Sequence, residues 1–259
     1  MSGGLQLKKS TRIILDLLIL LFALLFARPA LASSSYPNTH TTTIFVHGYG
    51  SNYHAEESMA RYLVKKGASN SIIRADVNRE GKVTFHGHQA KNAKNPIVEM
   101  NYSAHYVPKR SFREHNYSGQ LKAVIKADQQ KYHTKQINLV GHSMGNMLTV
   151  QYMNDNVSNH SLPTVKHLVI LAGGDKKPYR SNITSKLAGY LPKGLEVLNV
   201  YSNYQNDSDG RVNNSDSRYW KHPFGSAAKY QEVRLTGLKH SQLHESPRVN
   251  HLLVNFLFR

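Results

Sequence analysis

Gly141-His142-Ser143-Met144-Gly145 is a G-x-S-x-G sequence. On its own the pattern is common by chance, because glycine and serine are frequent. Its setting gives it chemical meaning. Ile137 to Val140 before it reads as a strand, and Met144 to Met153 after it reads as a helix. A strand–turn–helix of this kind thrusts the serine hydroxyl out at the carboxyl edge of a sheet, beside a helix N-terminus. The sharp turn needs glycine on both sides, since a Cβ at 141 or 145 would collide with the neighbouring strand or helix. A serine held in this way can attack an acyl carbon.

Attack turns a carbonyl oxygen into an oxyanion, which needs hydrogen-bond donors aimed at it. The N–H of Met144, just after the serine, is one expected donor. The other is expected after an early strand, where His47-Gly48-Tyr49-Gly50 follows the β-rich run Thr42 to Val46. Tyr49 N–H is the choice there. The serine also needs a base, and the base a carboxylate to hold it. Asp209 lies in an Asp-Gly-x-Val turn after the run Glu196 to Tyr201, with Asp207 and Asp216 as rivals. His240 follows the run Tyr230 to Thr236 and is the expected base, with His244 as runner-up. A calcium loop is a poor alternative around Gly210. With that glycine sixth, Gln205 and Asp216 would stand at the first and twelfth positions, where neither ligates well. His86-Gly87-His88 lacks a third metal ligand, and the chain has no cysteine, which excludes thiolate chemistry. No cofactor and no metal are expected.

The elements that must position these residues alternate along the chain. Strands are expected at 42–46, 72–77, 137–140, 165–171, 196–201 and 230–236, and helices at 55–66, 120–132 and 144–153. A last helix opens at Ser246-Pro247, an N-cap followed by proline. Its Val249, Leu252, Leu253, Phe256 and Leu257 form one apolar stripe. Alternating strands and helices predict an α/β fold with a mostly parallel sheet covered on both faces. Two stretches break the alternation and are expected as insertions: 78–118, with a β-hairpin around Glu80-Gly81-Lys82, and 173–194. The folded domain is expected to span 42–259, after a polar linker at 33–41.

Residues 1–32 have the layout of a signal peptide. Lys8, Lys9 and Arg12 precede the apolar run Ile13 to Phe26, and Ala30-Leu31-Ala32 supplies a cleavage site. The run is short for a membrane span, and retention as a signal-anchor is the alternative. The chain is 259 residues with a formal charge of +17; without 1–32, 29 basic residues face 15 acidic ones, leaving +14. The positive charge therefore belongs to the domain. Outside a cell it suggests adhesion to an anionic envelope polymer or lipid. No zinc-finger, RRM-like or KH-like pattern supports nucleic-acid binding.

The segments Phe45 to Gly50, Val140 to Gly145, Ser208 to Val212 and His240 to Glu245, in this order, resemble the α/β-hydrolases. More narrowly, the chain is similar to exported Gram-positive proteins labelled cell-surface hydrolases of unknown function. The likeness covers nearly the whole exported part. It implies a lipase-like fold and a triad of Ser143, Asp209 and His240, and it offers no firm substrate. Gly173-Gly174-Asp175 stands where such proteins often carry a longer segment. The expected activity is hydrolysis of a carboxylic ester through an acyl-enzyme. A serine amidase or peptidase, or a non-catalytic envelope-binding protein on the same fold, remain alternatives.

Overall fold

The computed structural model describes residues 36–103, 117–156, 158–174, 187 and 189–259. The expected signal peptide and its cleavage site lie outside the described residues, as do 104–116 and 175–186 of the two expected insertions. The described strands are β1 (Thr41–Val46), β2 (Ile72–Val77), β3 (Val83–His86), β4 (Ile97–Tyr102), β5 (Gln136–His142), β6 (Thr164–Leu171), β7 (Glu196–Asn203) and β8 (Lys229–Thr236). They form one eight-stranded sheet in the order β3-β2-β4-β1-β5-β6-β7-β8. Among these strands the β2–β3 pair is antiparallel and every other neighbour pair is parallel. This is the expected mostly parallel α/β sheet. The hairpin falls where Gly81, at φ +82°, lets the chain reverse.

The helices are α1 (Glu57–Lys65), α2 (Tyr117–Tyr132), α3 (Met144–Asn156), α4 (Asn214–Arg218), α5 (Lys221–Phe224) and α6 (Pro247–Phe258). They cover the sheet on both faces, which explains why β1 is buried along its whole length. Ile44 and Val46 point to one side, into a cluster with Leu121, Val124 and Ile125 of α2 and Leu148 of α3. Phe45 points to the other, against Met59 and Leu63 of α1 and Leu253 and Leu257 of α6. Each such fully buried aliphatic or aromatic side chain is worth about 1.5–3 kcal/mol against exposure. α6 begins as expected, with Ser246 at its cap and Pro247 in its first turn. No helix among the described residues is long and apolar enough to cross a membrane.

Two expectations need correction. The stretch 78–118 is not simply an insertion, because it contributes β3 and β4, and β4 lies inside the sheet between β2 and β1. Its sequence, Ile97-Val98-Glu99-Met100-Asn101-Tyr102, is interrupted by two polar residues, which hid a strand that is nonetheless almost wholly buried. The linker is not free either. Tyr36 is buried edge-on against Phe258 at 6.4 Å, and Thr39 donates to Asn95 Oδ1 through its N–H at 2.8 Å and its hydroxyl at 2.9 Å. The domain therefore begins by Tyr36.

Candidate active site

The turn between β5 and α3 is tightly built. Ser143 adopts φ +54°, a left-handed conformation that a residue with a side chain holds only under constraint. The constraint is visible. Ser143 N–H donates to the Leu171 carbonyl at the end of β6 at 2.9 Å. The Asn146 amide donates to the carbonyls of Ser143 (3.1 Å) and Leu171 (2.8 Å). A Cβ on Gly141 would lie 2.8 Å from Asn146 N, and one on Gly145 would run into the Val46 carbonyl and stand 2.8 Å from the His47 oxygen. The glycines are there because backbone passes where their side chains would be.

Three expected residues meet on this turn. His240 opens a 3-10 turn (His240–His244) after β8, and its Nε2 is 2.8 Å from Ser143 Oγ. Its Nδ1 is 2.8 Å from Asp209 Oδ2. An ionised carboxylate can only accept, so Nδ1 carries the ring proton and Nε2 is left to accept the serine hydroxyl. Asp209 is 2% exposed, and its second oxygen, Oδ1, accepts the N–H groups of Arg211 and Val212, each at 2.8 Å. Burial alone would raise this carboxyl. The bonds from His240, Val212 and Arg211 outweigh burial and hold it below its ordinary value, so it stays ionised. The His240 N–H closes the loop by donating to the Asp209 carbonyl at 2.9 Å.

The rivals lie elsewhere. Asp207 is half-exposed and pairs with Arg218 at 3.2 Å and Arg234 at 3.1 Å. Asp216 sits in the first turn of α4. His244 faces the same cavity as Ser143, but its ring packs edge-on against His142 at 4.6 Å.

Several positioning contacts were not visible in the sequence. His142 Nε2 donates to the His240 carbonyl at 3.1 Å, so the residue before Ser143 helps hold the backbone of the histidine. Burial, with His244 and His240 nearby, holds the His142 ring well below the usual imidazole range, and it is neutral. The loop after β1 is pinned by Tyr102 of β4, whose hydroxyl donates to the His47 carbonyl at 2.7 Å while the two rings stack at 4.3 Å. That loop passes close to the serine: a Cβ on Gly48 would be 3.1 Å from Ser143 Cβ. Gly48, Tyr49 and Met144, the expected oxyanion-hole segment, line one cavity of about 470 Å³ with Ser143, His240, Met147, Ala172, Arg211 and Val212. Signals for these contacts are weak in one dimension, because they join residues 55 to 98 positions apart.

The sequence model of a family described as alpha/beta hydrolase of unknown function (DUF915) matches residues 31–259. No curated protein matches the chain by sequence. Among solved structures, a protein of Listeria innocua is 25% identical, covering 84% of this chain and 93% of its own with a TM-score of 0.74. A candidate cell surface hydrolase of Lactobacillus plantarum is 20% identical, covering 84% and 89%, with a TM-score of 0.67. Est1E of Butyrivibrio proteoclasticus, solved with ferulic acid bound, shares the fold at 13% identity over 85% and 89% of the two chains, with a TM-score of 0.53.

Proposed function

We propose that this chain, which belongs to the DUF915 family of α/β-hydrolases, is an exported serine hydrolase that cleaves a carboxylic ester. The observation that carries the reading is the unbroken line of two 2.8 Å contacts from Ser143 Oγ through His240 to Asp209. In this mechanism Ser143 Oγ attacks the acyl carbon while its proton passes to His240 Nε2. Asp209 keeps the other ring nitrogen protonated and offsets the imidazolium charge that forms. The N–H groups of Met144 and Tyr49 bind the developing oxyanion, a contribution of about 10²–10³ in rate per donor. The imidazolium then protonates the leaving alcohol, and water, activated by the same histidine, releases the acid from the acyl-enzyme.

Export and the basic surface belong to the same proposal, with the positive charge holding the enzyme near anionic envelope material. A fluorophosphonate probe tests the core of it. Such a probe reacts only with an activated serine, so wild type should be labelled and Ser143→Ala should not. Turnover of a short-chain nitrophenyl ester should fall by about 10⁶ in the same variant, as in other triads. Turnover kept within tenfold would remove Ser143 from the mechanism.

A further inference from the structure

We propose that the pocket selects esters carrying an anionic group, phosphate or carboxylate, a few bonds from the scissile carbonyl, and that the Arg211 guanidinium reads it. This rests on the serine-hydrolase reading and deepens it to a substrate class. Arg211 stands two residues after Asp209, and its backbone N–H is bonded to Asp209 Oδ1 at 2.8 Å. Its Cα is therefore fixed relative to the triad, and its side chain opens onto the cavity that holds Ser143. The side chain itself is exposed and makes no hydrogen bond or ion pair among the described residues. Other arginines are engaged: Arg74 with Asp76 at 2.9 Å, and Arg218 and Arg234 with Asp207.

The turn does not need this guanidinium. The N–H groups of 211 and 212 satisfy Asp209, Ser208 Oγ donates to the Val212 carbonyl at 3.0 Å, and Gly210 N–H donates to Ser208 Oγ at 3.0 Å. A side chain that no described residue engages, placed on the rim of the pocket, is available to a ligand. Nor do the described lining residues neutralise it. Among the described lining residues there is no Asp or Glu, and the other titratable side chains are Tyr49, His142, His240 and His244. The nearby Asp209 carboxylate already spends both oxygens on His240 and two N–H groups. A forked guanidinium matches carboxylate and phosphate oxygens two at a time, and it repels cations. The formal charge of +14 outside residues 1–32 adds a long-range attraction of the same sign.

The test compares kcat/KM for matched ester pairs in wild type, Arg211→Gln and Arg211→Lys. One pair varies the alcohol side, butyrylglycerol against butyrylglycerol 3-phosphate. The other varies the acyl side, ethyl hexanoate against the monoethyl ester of adipic acid. Wild type should favour the anionic member of at least one pair by about tenfold or more, and 0.5 M salt should shrink that preference. Arg211→Gln should lose at least tenfold more on that anionic ester than on its neutral partner, and Arg211→Lys should recover part of the difference. The pair that responds separates a phosphate on the alcohol from a carboxylate on the acyl chain. Equal handling of both members of both pairs, or equal losses on anionic and neutral esters in Arg211→Gln, would overturn the assignment. Labelling of Ser143 by fluorophosphonate reports separately on the underlying hydrolase: its failure removes both ideas, its success with no anion preference removes only this one.

Discussion

Replacing Gly145 by alanine should damage catalysis without touching any reacting atom. The added methyl would run into the Val46 carbonyl at the end of β1 and stand 2.8 Å from the His47 oxygen. Both obstacles are backbone, so neither can rotate aside. Relief requires β1 and α3 to part by on the order of 1 Å, a displacement that can cost about 10² in rate when it falls on a reacting geometry. Here it falls on two parts at once, since α3 carries Met144 N–H and the end of β1 leads into the loop of Gly48 and Tyr49. A weakened oxyanion site costs about 10²–10³. We therefore expect kcat/KM to fall by about 10²–10³ and fluorophosphonate labelling to slow in parallel. Overpacking of this kind costs about 1–3 kcal/mol of stability. At about 2–4 °C per kcal/mol for a domain of this size, the melting temperature should drop by a few degrees to about 10 °C. A folded Gly145→Ala protein with kcat/KM within threefold of wild type would refute the reasoning, because the strand and helix would then not meet as described.

Asp209→Asn should lower kcat by about 10⁴, because an amide can present the wrong partner to His240 Nδ1 and reverse the tautomer; Asp207→Asn, on the exposed Arg218–Arg234 cluster, should stay within tenfold of wild type, and the opposite ranking in steady-state assays would move the acid to Asp207. Glu56 is 1% exposed with no hydrogen-bond partner for either carboxyl oxygen among the described residues, and burial, with Glu99 nearby, pushes its pKa well above the usual range. The folded state therefore keeps a proton that the unfolded chain releases above about pH 4.5, so stability is full in acid and is lost as pH rises towards the folded value, by about 1.4 kcal/mol per pH unit. Glu56→Gln should raise the melting temperature more at pH 8 than at pH 5, and an equal shift at both would show that the carboxyl does not titrate with folding.

Thr42 to Val46 and Val165 to Leu171 were legible as strands because, with both faces covered, they read as β-rich or largely apolar runs. β4 escaped because Glu99 and Asn101 alternate with its apolar residues, although Glu99 is itself buried, its carboxyl pushed up to about 7 chiefly by burial. α4 and α5 escaped because five and four mostly polar residues carry no periodicity. Chain order was enough to expect Ser143, Asp209 and His240 to meet, as they do at 2.8 Å, since each follows a strand that ends at the same sheet edge. What it could not supply were contacts made across the sheet: the His142 bond to the His240 carbonyl, the Tyr102 clasp on His47, and the Asn146 bridge between β5 and β6. That no described residue engages the Arg211 guanidinium was equally invisible, because partnering is a property of the folded surface.

The serine and histidine that touch at 2.8 Å are separated by 97 positions in the chain, and the histidine and its carboxylate by 31. The loop beside them comes from the other half of the sheet, joined through the pairing of β1 with β5. Such a site cannot exist in a chain that has folded only part way. Helices α2 and α3 can gain their turns from local contacts, while the parallel pairings β1–β5 and β7–β8 must close long loops first. During refolding, helical signal should therefore return before a serine probe reacts, so that labelling would time the last step of assembly. For the exported serine hydrolase proposed above, the same ordering predicts that a chain still threading through a membrane carries no reactive Ser143.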